Sequence, residues 1–157
     1  MKKRILKWGL ILLVSGIIIG AAIIYFMFNQ PHRDIQAATV DYKLEASALV
    51  NEYLTNATSA NDKYLEAEGE SKIIIVSGTI ASISEDLNKQ KVVLLKSKNA
   101  KAGVSCTFTS ETNATTKNLK VGDKVSIKGV IRSGAGYDED LELYEDVILE
   151  KCNSIKN

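Results

Sequence analysis

The pattern of apolar and polar positions begins with one long uncharged run. Residues 8–28 carry no charge and are almost all apolar, and about 20 such residues in an α-helix cross a hydrocarbon core of roughly 30 Å. Basic residues precede the run, and all 19 acidic residues follow Arg33. This asymmetry predicts that the residues before the apolar run lie in the cytoplasm. The sequence predicts a cytoplasmic start and transmembrane anchor over 1–28, with the rest extracytoplasmic; cleavage after Ala37 or Ala38 is the alternative.

A polar segment and a helical pattern follow the anchor. Residues 29–44 include the only proline, which is typical of a short stalk. Residues 45–157 are predicted to form one domain, and over about 45–65 the apolar side chains fall on one helical face. Asn, Thr and Ser residues at 55–59 favour a break into two helices. The face is expected to pack against the core through Leu49, Tyr53, Ala57, Ala60 and Tyr64.

The remaining chain has the short period of β-strands. β-branched residues and alternation predict five strands, at 72–83, 91–96, 104–109, 119–131 and about 141–149. Gly78 inside the first strand favours a bulge or bend, and 110–118 is expected to form a short helix or a loop. The prediction is therefore a mostly β protein. It combines a five-stranded OB-like Greek-key barrel, a preceding packing helix and an N-terminal transmembrane helix.

Charge bears on the choice of ligand. The whole chain has a net charge of +1, but residues 34–157 carry 15 Lys and Arg against 19 Asp and Glu, a net of −4. Nucleic-acid binding depends on clustered positive charge. The candidate cluster is a group of lysines with no acid between them: Lys89, Lys91, Lys96, Lys98 and Lys101. In OB folds the second and third strands form the binding face. Single-strand binders also need aromatic platforms, and the only aromatic nearby, Phe108, is predicted to be buried.

Little in the sequence indicates catalysis. His32 is the only histidine and precedes the folded domain, so the commonest general base is absent from it. No phosphate-binding loop or metal motif is present, and no cofactor is predicted. Asp138, Asp140 and Glu142 alternate as oxygen ligands of calcium do, but the stretch lacks the pattern of an EF-hand loop. We therefore expect a non-enzymatic protein and treat the acids around 138–146 as a solvated loop or a cation site.

Two cysteines, Cys106 and Cys152, lie in the part predicted to be outside the cytoplasm. An even number of cysteines in an oxidising compartment allows a disulfide. The third and fifth strands are neighbours in a closed OB barrel, so we expect the two cysteines to be bonded or within bonding reach. Two buried free thiols are the alternative.

Six segments of the chain together resemble the tRNA_anti-like family of bacterial membrane-anchored OB-fold proteins. They are residues 29–34, 60–65, 76–80, 104–108, 120–129 and 146–149. The resemblance implies the anchor and the OB fold and adds no activity. The expected function is an extracytoplasmic binding or scaffolding module, with an envelope protein or glycan as partner. The alternative is weak single-stranded nucleic-acid binding through Lys91, Lys96 and Lys98.

Overall fold

The first unit of the chain, Met1–Arg33, contains helix α1 (Lys2–Phe28). The computed structural model describes residues 2–28, 34–66 and 71–155, without the side chains of 2–7 and 9–12. Most of the large apolar side chains described in α1 are exposed, as at Ile17 and Phe26. Within the described residues, no helix has the length and apolar character to cross a membrane. The predicted anchor includes 9–12, outside the described side chains, so it stays a prediction.

The second unit, Asp34–Asn157, is built on a closed five-stranded barrel. Its strands follow the order β2-β3-β4-β8-β5, and β2 also pairs with β5 to close the sheet. Only the β4–β8 pair of the barrel is parallel. The strands are β2 (Ile73–Glu85), β3 (Lys91–Leu95), β4 (Val104–Phe108), β5 (Lys124–Ser133) and β8 (Val147–Ile155). The predicted five-stranded Greek-key barrel is confirmed.

Two predicted strands begin too early. The fourth begins at Lys124 rather than at residue 119, because the preceding residues form a turn in which Gly122 has φ +95°. The fifth runs over Val147–Ile155 rather than about 141–149. Residues 136–145 instead contain a separate hairpin of β6 (Gly136–Asp138) and β7 (Leu143–Glu145). The region predicted as a short helix or loop contains a 3₁₀ helix, Asn113–Thr116.

Strand β2 bends because it changes partner along its length. It pairs with β5 up to Thr79 and with β3 from Ile80 onward, and the register with β3 shifts between Ile80 and Ser82. Gly78 lies next to this change. A Cβ at Gly78 would lie 3.1 Å from the Cβ of Ala46 and 3.2 Å from the Cβ of Leu95. The predicted irregularity is therefore present, two residues beyond the glycine, and Gly78 itself permits close packing of helix on sheet.

The helical stripe packs against the barrel as predicted, with one exception. Helices α2 (Ala46–Thr55) and α3 (Ala57–Tyr64) meet at Asn56, where the predicted break occurs. The Oδ1 atom of Asn56 accepts a hydrogen bond of 3.0 Å from the Ser59 amide, as a helix N-cap does. Four members of the stripe are buried, whereas Ala57 is exposed: the buried ones are Leu49, Tyr53, Ala60 and Tyr64.

The segment predicted as a stalk is largely part of the folded domain. Residues 29–33 lie outside the described residues, but β1 (Tyr42–Glu45) pairs in parallel with β2. Ile35 is buried, and the largely buried Lys128 donates from Nζ to the carbonyls of Gln36 (2.9 Å) and Ala38 (2.6 Å). The predicted boundary at residue 45 is therefore wrong. A polar composition is typical of a free linker, but here backbone pairing and one lysine hold these residues on the barrel.

We expect Lys128→Met to release this segment. Hydrogen bonds from a charged donor contribute about 1.5–3 kcal/mol, so local opening should become more frequent by one or two orders of magnitude. Hydrogen–deuterium exchange at Gln36, Ala37 and Ala38 should accelerate accordingly. Lys124→Met is the matched control, because Lys124 lies on the same strand with its side chain 69% exposed. Unchanged exchange at these three amides in Lys128→Met would contradict the assignment.

Candidate tyrosine groove

The five candidate lysines do not form one face. Lys89 and Lys91 lie at the turn between β2 and β3, whereas the others lie beyond the far end of β3, in the connection to β4. Lys91 and Lys96 are separated by five positions, which corresponds to about 16 Å along a strand. Residues that are close in sequence therefore lie at opposite ends of β3. The lysines of the predicted binding face form two separate groups: Lys89 and Lys91 at one end, and Lys96, Lys98 and Lys101 at the other.

Three of these lysines make local contacts that occupy their ammonium groups. Lys91 pairs with Glu85 at 2.8 Å, and Lys96 donates to the carbonyl of Lys101 at 3.0 Å. Lys101 donates to the hydroxyl of Tyr144 at 3.1 Å. These intramolecular contacts reduce the positive charge that the three lysines can offer to a phosphate.

The outer face of β3 and β4 has no aromatic residue among its described positions. Val92 lies opposite Thr107 and Leu94 opposite Ser105, and all four are partly exposed. Phe108 is fully buried, which confirms its predicted place in the core. The surface that stacks bases in single-strand binders is therefore lined here by aliphatic and hydroxyl side chains.

A groove with aromatic walls lies elsewhere, between the helices and the β6–β7 hairpin. Its volume is about 370 Å³. One wall comes from α2 and α3, and the other from the hairpin and the residues before it, with one lysine from the β3–β4 connection. We call this the tyrosine groove; it is lined by Tyr53, Leu54, Ala57, Lys101, Ala135, Gly136, Tyr137 and Tyr144.

The hairpin holds two tyrosines side by side. Tyr137 and Tyr144 are directly opposite in the β6–β7 register, and their ring centroids are 4.8 Å apart with a 51° angle between the planes. Tyr137 is 51% exposed. The Nζ atom of Lys101 lies 5.0 Å from the centroid of Tyr144, within the range of a cation–π contact. The groove already accommodates one ammonium group against an aromatic ring.

Tyr53 forms the inner part of the groove. Its ring lies on Gly134, where an added Cβ would come within 2.0 Å of Cε1. The hydroxyl is buried and has no hydrogen-bond partner among the described residues. Burial, with smaller effects of Tyr64 and Glu52, raises the pKa of Tyr53 to about 12. Tyr53 is therefore a protonated, unpaired hydroxyl at neutral pH.

The hairpin region is strongly acidic. Residues 134–146 contain no basic residue and six acids: Asp138, Glu139, Asp140, Glu142, Glu145 and Asp146. Two of these acids hold the backbone. Asp138 accepts from the amides of Asp140 and Leu141, both at 2.9 Å, and Asp146 accepts from the Gly103 amide at 2.6 Å. The other four are exposed. No three acidic, histidine or cysteine side chains within the described ranges converge as metal ligands.

Sequence reasoning missed both hairpin tyrosines. Their strands have three residues each, which is too few to show alternation. The most conspicuous feature of this part of the sequence is its acidic residues. The available signal was the pair of tyrosines on either side of an acidic turn, Tyr137 and Tyr144. A hairpin centred between them brings such residues opposite each other.

Both cysteines lie in the core and are not bonded in the structure. Cys106 on β4 and Cys152 on β8 are fully buried free thiols. Burial, followed by a hydrogen bond with Cys106, raises the pKa of Cys152 well above its ordinary value. The predicted approach of the two thiols to bonding distance and a disulfide between them both stay predictions.

Comparison with known proteins supports the fold. A family model described as tRNA_anti-like matches residues 1–143. One similar solved structure is a lipoprotein from Klebsiella pneumoniae subsp. pneumoniae MGH 78578, for which nucleic-acid binding has been suggested. It is 19% identical to this chain with a TM-score of 0.53, and the match covers 81% of this chain and 100% of that one. At this identity the likeness concerns the fold. No curated protein matches the chain.

Proposed function

The chain belongs to the tRNA_anti-like family, and from this premise we propose that it is a non-enzymatic binding or scaffolding module of the bacterial envelope. The observation that supports this proposal most directly is the tyrosine groove. In OB folds the loop between the fourth and fifth barrel strands takes part in ligand binding. Here that connection joins β5 to β8, and it carries the exposed Tyr137 and its partner Tyr144.

The proposed anchor is α1, with the barrel outside the cytoplasm. Basic residues lie before the apolar run, and the acids lie after it. The described apolar side chains of α1 are mostly exposed rather than packed within its own unit. A lipid environment would cover them. Accessibility of the barrel to protease added outside intact spheroplasts is the corresponding test.

A binding role fits the chemistry of the groove better than catalysis does. The groove lining contains no carboxylate, histidine or cysteine, so no group there has an ordinary pKa suited to moving protons near neutral pH. What the lining offers is aromatic surface, one ammonium group and phenolic hydroxyls. These groups fix and orient a ligand.

Photo-crosslinking tests the proposal without assuming a ligand. A photoreactive phenylalanine analogue at position 137 should give a covalent adduct in intact cells, because this side chain is at the groove and half-exposed. The same analogue at position 111 is the matched control, since Glu111 is exposed and lies outside the groove lining. Equal labelling at both positions, or none at 137, would argue against a binding groove here.

The alternative, weak single-stranded nucleic-acid binding, has one specific observation in its favour. A second cavity of about 460 Å³ lies beside the 3₁₀ helix, and its lining includes Lys91, Asn113 and Lys117. Lys91 is paired with Glu85, which reduces its effect on phosphate. A nuclease-sensitive adduct at position 111, which is two residues from Asn113, would favour this alternative.

A further inference from the structure

We propose that the tyrosine groove recognises a lysine or arginine side chain presented by an extended protein segment. This inference rests on the proposed binding function and specifies its ligand class. It combines two independent features: an aromatic pair and a surplus of exposed carboxylates.

The aromatic pair accepts cations. The ammonium of Lys101 lies 5.0 Å from the Tyr144 centroid and donates to the Tyr144 hydroxyl at 3.1 Å. Tyr137 stands 4.8 Å from Tyr144, centroid to centroid, and about half of its surface remains open. A second cation can contact the negative face of Tyr137 as Lys101 contacts that of Tyr144.

The surrounding charge selects for positive ligands. Glu139, Asp140, Glu142 and Glu145 are exposed on the hairpin, whereas Lys101 is the one basic residue in the groove lining. Complementary charge increases the association rate and disfavours ligands of the same sign. A phosphate backbone would be repelled here, and an uncharged glycan would stack on the tyrosines without using the carboxylates.

The opposite wall suits the aliphatic part of such a side chain. Leu54 is 37% exposed and Ala57 is exposed in the lining of the groove. Lysine and arginine bury their methylene stems on apolar surface while the charged end remains at a polar site. A volume of about 370 Å³ lies at the small end of ligand pockets, which fits side chains from a short segment.

Tyr53 closes the inner end of the groove. Its side chain is 2% exposed and lines the groove, and its hydroxyl has no partner within the described part of the chain. An unpaired buried hydroxyl is unfavourable. Because the hydroxyl atom is itself covered, we expect a bound segment to contact the edge of the Tyr53 ring and not the hydroxyl.

The test uses a fluorescent six-residue lysine peptide and the full-length chain in a non-ionic polyoxyethylene detergent. We expect saturable binding by fluorescence anisotropy, weakened by salt. Tyr137→Leu retains the charge and removes the ring, and should weaken binding about fivefold, as expected for loss of a cation–π contact. Tyr137→Phe retains the ring and should bind as the unmodified protein does.

A charge-matched pair separates the groove from general attraction to acids. Glu139→Gln with Glu145→Gln should weaken binding about tenfold, on the scale of close charge pairs across an interface. Asp62→Asn with Glu111→Gln removes the same charge from exposed sites outside the groove and should change binding less than about twofold, as distant surface charges are screened. Equal weakening by both pairs, together with no effect of Tyr137→Leu, overturns the proposal.

Other ligands are tested in parallel with a six-residue glutamate peptide, a chitin hexamer and a single-stranded oligonucleotide. Binding of one of these, lost in Tyr137→Leu, with no binding of the lysine peptide, overturns this inference but leaves the proposed binding function intact. Absence of all binding, together with no crosslink at position 137, overturns both. Thermal unfolding of each variant confirms that it is folded.

Discussion

Replacing Gly134 with alanine is expected to lower the free energy of unfolding by about 3 kcal/mol, at the upper end of the range for overpacked cores. An added Cβ would lie 2.0 Å from Cε1 and 2.1 Å from Cδ1 of Tyr53. Neither distance is compatible with van der Waals contact, and a rigid aromatic ring cannot yield by a small rotation. The Tyr53 side chain would have to leave its site, although it is 2% exposed and also packs near Tyr64, with ring centroids 6.0 Å apart.

Gly136→Ala provides the matched control, two residues along the same strand connection. The nearest atom to a Cβ at Gly136 is Oε2 of Glu145 at 3.9 Å, an ordinary contact. We expect a change within about 0.5 kcal/mol, as for surface substitutions generally. Urea denaturation of both variants, followed by circular dichroism, measures the difference. Equal stability of the two would show that Tyr53 does not pack on Gly134.

The consequence of Gly134→Ala extends to the proposed binding groove. Tyr53 and Ala135 line the tyrosine groove, and Gly134 sets the distance at which the chain passes over the Tyr53 ring. If the ring moves, the inner part of the groove is lost. The stability of this region and the shape of the proposed groove therefore depend on the same close approach.

The barrel could be predicted because buried and exposed residues alternate along its strands, and this alternation is visible in the sequence. Val104, Cys106 and Phe108 are buried and alternate with the partly exposed Ser105 and Thr107, as a strand with one face in the core requires. Gly78 marked the region where β2 changes partner. These features are local, and each is repeated often enough within one element to be recognised.

The rest depends on contacts between distant segments. Strand β1 has four residues, and its pairing with β2 is not visible in a polar sequence. Gln36 and Ala38 are held by Lys128, about 90 positions away. The candidate lysines show the converse: they are close in sequence, but the fold places them at the two ends of β3. The tyrosine groove joins helix, strand connection and hairpin, so no single segment could predict it.

For the cysteines, topology alone predicted that the two residues lie on neighbouring strands. In an OB barrel the third and fifth strands are neighbours, and here they are the parallel pair β4 and β8. Cys106 and Cys152 are not directly opposite, because Cys106 pairs with Leu149 and Phe108 with Cys152, with a register shift between them. Interaction with the Cys106 side chain nevertheless contributes to the raised pKa of Cys152. Strand order therefore predicts that the two residues lie on neighbouring strands.

The thiols lead to a second large effect, on the pH dependence of stability. Burial, followed by the hydrogen bond with Cys106, raises the pKa of Cys152 in the folded protein, whereas the pKa of a thiol in the unfolded chain is about 8.5. Below that pH both states hold the proton, and stability is unaffected. Above it the unfolded state loses its proton first, so the free energy of unfolding should fall by up to about 1.4 kcal/mol for each pH unit.

Urea denaturation of the reduced protein between about pH 8 and 10 measures this slope, in a window below the range in which unfolded tyrosines titrate at about pH 10. Cys152→Ala should show a shallower slope, whatever its stability at neutral pH. A slope equal to that of the unmodified protein would show that Cys152 is not the responsible group. Protein recovered from cells and alkylated without reduction shows by mass spectrometry whether the thiols are bonded. If they are, the titrating group is gone, so the slope should be absent until a reductant is added, and the cross-link should contribute about 2–4 kcal/mol.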